Sequence, residues 1–151
     1  MQQQTRTNAI NEGNLLHFVG MVAKPVNSVL GVGIDIISID RVRKGLSDQS
    51  GLEAQLFTDT EHSFCHATSQ PAEQFAARFA AKEAYLKAIG VGLHEGVRFR
   101  EIEVVVNQNG RSCLVLTGHM KELAIARGVR EFYLSLSIEK KLVVAVVILT
   151  S

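Results

Sequence analysis

Two carboxylates stand where a purely structural sequence would place apolar side chains. Asp35 lies between Ile34 and Ile36 in a strand-like stretch. Glu83 lies four residues after Phe79, on the apolar stripe of a long helical segment. A carboxylate in such a position is strongly destabilising unless it is paired, protonated or bound to a cation. The two acids therefore predict either structural ion pairs or a cation site.

The spacing leaves both interpretations open. In a structural interpretation, Asp35 would pair with Arg41 or Arg78. Glu83 would then pair with Lys87, one helical turn further on. In the other interpretation, oxygen ligands from a strand and a helix would hold Mg²⁺ beside a phosphate substrate, with water and phosphate as the remaining ligands.

The elements that must position these acids follow from periodicity and turn residues. The first is a strand over 29–37, with Val32, Ile34 and Ile36 on one face and Asp35 on the other. The remaining predicted elements, in chain order, are a helical face over 38–51, helices over 58–66 and Pro71–Ile89, a hairpin of 101–106 and 112–117 around an Asn-Gly turn, a helix over 119–126, and strands over 132–137 and 142–149. Because the strands gather late in hairpins, we predict an α+β fold, with a mainly antiparallel sheet packed on one long helix plus short helices.

Length and composition limit the classes of protein. The 151 residues suit one domain over 29–151, preceded by an N-terminal extension over 1–28 that we interpret as a loosely attached tail. A net charge of +1 disfavours a large basic surface for nucleic acid. The longest apolar run, 142–149, is far shorter than the ~18 residues of a membrane span. Two separated cysteines and the absence of a signal-peptide pattern predict a cytoplasmic protein without a disulfide framework.

Two ordered motifs surround the acids. The first, within 31–42, contains Gly33, Asp35 and Arg41. The second spans 78–90 and reads Arg-Phe-Ala-Ala-Lys-Glu-Ala, followed by Lys-Ala-Ile-Gly. Together they resemble the signature segments of the holo-acyl-carrier-protein synthase family, the small 4′-phosphopantetheinyl transferases. The resemblance extends from about residue 30 to the end of the chain.

The resemblance implies an activity. Such enzymes transfer the 4′-phosphopantetheine group of coenzyme A to a serine of apo acyl carrier protein, release adenosine 3′,5′-bisphosphate and support fatty acid biosynthesis. By resemblance, Asp35 and Glu83 would hold Mg²⁺ near the pyrophosphate, and Lys87 would lie close to the reacting phosphate. A metal ion and cations would neutralise charge that accumulates on phosphoryl oxygens in the transition state.

The resemblance also assigns binding residues, each with a simpler alternative. Gly90 and Gly92 would allow the backbone to approach coenzyme A, although they also suit a helix stop. A basic cluster on the first helix would dock the acidic carrier protein, although such clusters are often solvated surface. The residues assigned to coenzyme A are Arg78, Lys82, Gly90, Gly92, Asn109, Gly110 and Arg111, and those assigned to the carrier protein are Arg41, Arg43 and Lys44.

The C-terminal strand bears on assembly. All residues of 142–149 are apolar, which suits a strand covered on both faces. Family members form trimers whose active sites are shared between neighbouring subunits, so the resemblance implies a homotrimer. A helix packed on each face of the sheet would also explain the run.

Departures from the pattern leave rival functions open. Ile138 stands where many family members have a histidine, and an isoleucine neither binds a phosphate nor transfers a proton. The alternatives are a catalytically weak paralogue that binds coenzyme A or acyl carrier protein, and a non-enzymatic oligomeric binding module. His62 and His66 have the spacing of two metal ligands, but without two further ligands nearby we favour an ordinary surface position. His94 is a weak candidate for phosphate contact.

Overall fold

The computed structural model describes residues 28–47, 51–92 and 96–151. The prediction for the extension over 1–28 therefore lies outside the described residues except at its last position. His94 also lies outside them. Ser28 is exposed and meets the other end of the chain, where its carbonyl accepts a 3.0 Å hydrogen bond from the Ser151 N–H.

The described residues form five strands, five α-helices and one short 3-10 helix. In chain order these are β1 Val29–Ser38, α1 Ile39–Ser47, α2 Leu52–Leu56, α3 Asp59–His66, α4 Pro71–Ile89, the 3-10 helix Phe99–Glu101, β2 Ile102–Val106, β3 Ser112–Leu116, α5 Gly118–Ala126, β4 Glu131–Glu139 and β5 Leu142–Thr150. The predicted α+β class is confirmed, and the predicted strands and helices agree to within about two residues at most ends. Helix α2 was not predicted as a separate element, because it is a single turn that lacks apolar periodicity.

The strands form two antiparallel sheets rather than one. The larger has the order β1-β5-β4, and the smaller contains β2 and β3. In the larger sheet the central strand pairs Ala145 with Asp35 on one side and with Leu136 on the other. The central position of β5 explains its high apolar content, since Val143, Ala145 and Val147 are all fully buried.

The long helix α4 lies directly on β1, and small residues make this possible. Gly31 and Gly33 face the backbone of α4 at Ala88 and Ala84. An added Cβ would lie 2.0 Å from the Ala88 carbonyl oxygen at Gly31, and 1.9 Å from that of Ala84 at Gly33. Because no side chain separates helix from strand, residues of α4 are held at a fixed position relative to Asp35.

The predicted helix ends are confirmed. Pro71 is in the first turn of α4, and Gly90 ends it with a φ of 69°, a left-handed conformation that glycine adopts at little cost. The Thr58 hydroxyl accepts from the Glu61 N–H at 3.2 Å, and the Glu61 carboxylate accepts from the Thr58 N–H at 2.9 Å. This capping box begins α3.

One face of the larger sheet is apolar and uncovered. α4 covers the face that carries Gly33 and Asp35, while Val32, Ile34 and Ile36 on the opposite face of β1 are 54%, 52% and 61% exposed. Within the ranges given above, no helix covers these three side chains. The predicted burial of β5 on both faces is thus met on one side, and Val144, Val146 and Ile148 on the other side are only half-buried.

Candidate active site beside β1 and α4

Asp35 and Lys87 meet where α4 crosses β1. The Lys87 Nζ donates to Asp35 Oδ1 at 2.7 Å and to the Ile34 carbonyl oxygen at 3.0 Å. The Asp35 side chain is 14% exposed, whereas that of Lys87 is 50% exposed. Lys87 therefore reaches solvent while it stays anchored to the strand. The predicted partners of Asp35, Arg41 and Arg78, are wrong.

Glu83 lies one helical turn before Lys87 and is half-buried. Burial raises its pKa, the negative charge of Asp35 raises it further, and the positive charge of Lys87 lowers it. The predicted Glu83–Lys87 ion pair is not formed among the described residues. The two charge effects on the Glu83 pKa place Asp35 and Glu83 close enough for their charges to interact. The ammonium group of Lys87 interacts with both carboxylates.

A cavity of about 460 Å³ opens beside these side chains. Asp35, Glu83 and Arg41 line one part of it, and apolar side chains of α1, α2 and α4, including Leu46 and Phe79, line the rest. Such a cavity combines a charged end with an apolar wall. It suits a ligand that carries both phosphate groups and an uncharged chain.

The donor set fits a divalent cation with a preference for oxygen. Two neighbouring carboxylates disfavour each other's ionisation. The ionised form of both is stabilised when a doubly charged ion lies between them. Mg²⁺ is commonly held by one or two carboxylates together with substrate phosphates. The residues present at Asp35 and Glu83 therefore match the predicted metal, and the partial burial of Glu83 supports the same conclusion.

Arg78 and Lys82 lie on a different face of α4, against α3. Arg78 is buried, its Nη1 donates to the Gln74 carbonyl oxygen at 3.3 Å, and its guanidinium lies 4.2 Å from the Phe64 ring centre. Lys82 is fully buried, and burial lowers its pKa, an effect that Glu61 opposes. The structure does not bring either cation to Asp35 and Glu83, so their assignment to substrate phosphates finds no support in this geometry.

Lys82 instead forms the centre of a buried polar network. Its Nζ donates to Glu61 Oε2 at 2.7 Å, to the Leu56 carbonyl oxygen at 2.7 Å and to that of Phe99 at 3.0 Å. Glu61 Oε1 also accepts from the Val104 N–H at 2.9 Å. All three donors of Lys82 are used, so its role here is to join α4 to α2, α3 and the 3-10 helix, and Glu61 extends the network to β2. The capping-box pattern identified Glu61, but nothing in the sequence indicated this second contact.

The turn between β2 and β3 lies against a second cavity. Asn107 Oδ1 accepts from the Asn109 N–H at 2.9 Å and from the Arg111 N–H at 3.0 Å, and Gly110 has a φ of 75°. Gly110 and Arg111 line a cavity of about 480 Å³ together with residues of β4. This cavity shares no lining residue with the one beside Asp35. Within one chain, the predicted residues Asn109, Gly110 and Arg111 are therefore not part of the same pocket as the two acids.

The remaining predicted residues lie at the edges of the site. Gly92 is exposed, and a methyl group added to it would have no described atom within 4 Å. On α1, Arg43 forms an ion pair with Asp40, while Arg41 and Lys44 are exposed.

Ile138 on β4 pairs with Val143, which pairs in turn with Ile37, two residues from Asp35. Ile138 thus lies in register with Ile37, at the end of the sheet that also carries Asp35.

The family model of the 4′-phosphopantetheinyl transferase superfamily matches residues 31–147. The chain belongs to this superfamily. The match includes Asp35, Glu83 and Lys87, the three residues that the structure gathers where α4 meets β1. The family predicted from the two motifs is confirmed.

Relatives within the superfamily are similar over most of this chain. The holo-[acyl-carrier-protein] synthase of Syntrophotalea carbinolica is 44% identical over 108 residues, which cover 71% of this chain and 84% of that protein. The enzyme of the same name from Geotalea daltonii is 38% identical over 122 residues, 80% of this chain and 98% of that protein. A crystal structure of the Bacillus anthracis enzyme in complex with CoA (3′,5′-ADP) is 34% identical, with a TM-score of 0.67, and covers 82% of this chain and 97% of that one. The predicted enzyme class agrees with these names.

The helices of this superfamily member give one further result. Among the residues that the structure describes, no helix is both long enough and apolar enough to cross a membrane.

Proposed function

We propose that this protein transfers the 4′-phosphopantetheine group of coenzyme A to a serine of apo acyl carrier protein and releases adenosine 3′,5′-bisphosphate. The observation that carries the proposal is the junction of Asp35, Glu83 and Lys87 at the charged end of a partly apolar cavity. Relatives that share most of the chain bear the name of this enzyme. The catalytic residues are Asp35, Glu83 and Lys87.

Lys87 neutralises charge at the reacting phosphate. Its Nζ uses two of its three donors on Asp35 and Ile34, and the side chain is 50% exposed, so within the described residues the third donor remains open to a ligand beside Asp35. A phosphoryl oxygen of coenzyme A accepts this remaining hydrogen bond. Anchoring to the strand reduces the conformational freedom that Lys87 would lose on binding, so more of the interaction is available to the transition state.

Asp35 and Glu83 would hold Mg²⁺. When bound, the ion supplies positive charge to phosphoryl oxygens as they become more negative. Asp35 is fixed by the strand and by Lys87, and Glu83 is fixed by the helix backbone that rests on Gly33. The apolar wall of the cavity accommodates the uncharged pantetheine chain and excludes water from it.

The carrier protein docks over α1. Arg41 lines the cavity beside Asp35, and Arg43 and Lys44 extend the basic surface along the helix. An acidic partner approaching this helix delivers its serine to the open side of the cavity, and opposite charges accelerate the encounter. Because Arg43 is paired with Asp40, Arg41 and Lys44 are the cations that gain most from a new partner.

The protein acts as a homotrimer in the cytoplasm and serves fatty acid biosynthesis. The uncovered side chains Val32, Ile34 and Ile36 form an apolar face of the kind that subunit association buries. Sharing of each active site between neighbours would also explain why the Arg111 cavity is separate within one chain. In the trimer, Asn109, Gly110 and Arg111 of one subunit contact the nucleotide end of coenzyme A bound beside Asp35 of the next.

The decisive experiment is mass spectrometry of apo acyl carrier protein incubated with the enzyme, coenzyme A and Mg²⁺. We expect a gain of one phosphopantetheine group, prevented by EDTA and by Asp35→Asn, and retained by the exposed surface variant Glu139→Gln. A folded wild-type protein that binds coenzyme A but modifies no carrier protein would instead favour the weak paralogue, with Ile138 as the first residue to change. If neither coenzyme A nor a carrier protein is bound, the enzyme proposal is refuted.

A further inference from the structure

A second group of metal-ligating side chains lies away from the proposed active site. Glu53 on α2 and His62 and His66 on α3 direct their polar atoms to one point. Each histidine Nε2 is 2.8 Å from the same atom, Glu53 Oε1. One ligand atom from each of the three side chains fits within a span of 4.8 Å. The third ligand that the sequence did not supply is thus provided by a different helix.

The two imidazole rings pack on a buried aromatic side chain. Their centres are 4.4 Å apart, and both make edge contacts with the Phe75 ring, at 6.3 Å for His62 and 5.3 Å for His66. Phe75 is fully buried and packs on Phe57. A rigid apolar base restricts the rotamers of both histidines, so less conformational entropy is lost when the rings bind an ion.

We propose that Glu53, His62 and His66 form a binding site for a divalent transition-metal ion of the zinc class. Two imidazole nitrogens and one carboxylate oxygen are ligands that zinc and its neighbours prefer, whereas Mg²⁺ prefers oxygen ligands only. Nitrogen and oxygen ligands of a tetrahedral zinc ion lie about 3.3 Å apart. A small outward rotation of the three side chains therefore converts the present hydrogen-bonded cluster into a coordination site.

The geometry leaves one position of such an ion open. The side chains of His62 and His66 are 52% and 51% exposed, and that of Glu53 is 23% exposed, so water completes the coordination. The bound ion links α2 to α3. Because Leu52 and Leu56 of α2 line the cavity beside Asp35, the ion also fixes one wall of that cavity. The site itself does not depend on the proposed transferase activity.

The test is a zinc titration of the full-length, tag-free protein by isothermal calorimetry, with millimolar Mg²⁺ present to occupy oxygen-ligand sites. We expect one saturable equivalent per chain. Removing a direct ligand should weaken binding by at least ~100-fold, since loss of a supporting outer contact already costs about 10- to 100-fold. His66→Gln and Glu53→Gln test this, and His119→Gln, an exposed histidine on α5, is the matched control that should bind zinc normally.

A direct readout avoids the risk that a variant fails to fold. Proton NMR of the wild-type protein should show two of its five histidine ring signals shift or broaden as zinc is added, while the others remain. The proposal is overturned if no saturable binding occurs, if binding survives both ligand substitutions in folded protein, or if Asp35→Asn abolishes it. Movement of the His119 signal in place of the two from α3 would overturn it as well.

Discussion

Replacement of Gly33 by alanine tests whether close approach of α4 to β1 positions the site. The added Cβ would lie 1.9 Å from the Ala84 carbonyl oxygen and 2.5 Å from the Ala88 nitrogen, both of which are backbone atoms. Real Cβ contacts essentially never fall below 3.0 Å, so helix and strand must separate by about 1.1 Å. Since Glu83 and Ala84 are adjacent, that displacement moves Glu83 and Lys87 relative to Asp35.

Two effects of this displacement have known magnitudes. Overpacking of a well-packed interior costs about 1–3 kcal/mol in the free energy of unfolding. A misplacement of about 1 Å in a reacting group lowers the rate by about 100-fold. We therefore expect Gly33→Ala to fold, to lose about 1–3 kcal/mol of stability, and to lose about 100-fold in kcat/KM.

The assay combines urea unfolding with steady-state transfer to apo acyl carrier protein, at a temperature where the variant is fully folded. Gly45→Ala on α1 is the matched control for stability, because its added Cβ would lie an ordinary 3.7 Å from Leu52 and its backbone is helical. That control should retain or slightly increase stability, since alanine favours a helix over glycine. Wild-type stability and wild-type kcat/KM in Gly33→Ala would refute the positioning argument.

Three other predictions follow from contacts outside this junction. Lys82→Met should lower the free energy of unfolding by about 3–5 kcal/mol, because it leaves Glu61 fully buried without its cation. Lys87→Met should cost clearly less by urea unfolding, because Lys87 is half-exposed and water still reaches its partner Asp35, and equal costs would contradict the distinction. The raised pKa of Glu83 means that the folded state keeps its proton to higher pH than the unfolded state. This group's contribution to stability is therefore present at low pH and lost as the pH rises through the folded-state value. Glu83→Gln should flatten that loss in unfolding measurements made at increasing pH above the ordinary glutamate value, and an unchanged slope would contradict the prediction. If the protein forms the proposed trimer through the β1 face, Ile34→Glu should dissociate it in light scattering. Ile125→Glu, which changes an exposed isoleucine on α5, should not, and a trimeric Ile34→Glu variant would argue against the β1 face as the interface.

The secondary-structure elements and the unusual positions of Asp35 and Glu83 could be predicted from the sequence, because both depend on local patterns. Alternation in β1, the capping box at Thr58, and Pro71 and Gly90 at the ends of α4 are each decided within a few residues. The junction of Asp35 with α4 came from motif resemblance, and the structure supplies its physical cause in Gly33. The predicted ion-pair partner of Asp35 was wrong, because Lys87 is distant in sequence and reaches Asp35 only through packing of the helix on the strand.

The placement of Lys82 could not be predicted for a related reason. Alanines occur all around α4, so the apolar stripe that includes Phe79 is weakly defined and the direction of a lysine does not follow from it. The third ligand of the histidine pair was missed because Glu53 lies on α2, a single turn without periodicity. In each case the information lies in contacts between elements that the chain brings together only after folding.

Lys82 and Glu83 are adjacent on α4 but have different structural roles. Together these roles explain how the fold keeps the like charges of Asp35 and Glu83 close to each other. Lys82 joins the helix to α2, α3 and the 3-10 helix through a fully buried and fully hydrogen-bonded ammonium group. One residue later, Glu83 turns toward β1, where burial and Asp35 disfavour its charge. Because the helix is held on one face by the Lys82 network and on another by direct contact with Gly31 and Gly33, it cannot move away to relieve that repulsion. The two carboxylates are thus kept close together, in the arrangement that the proposed cation site needs, by contacts outside that site.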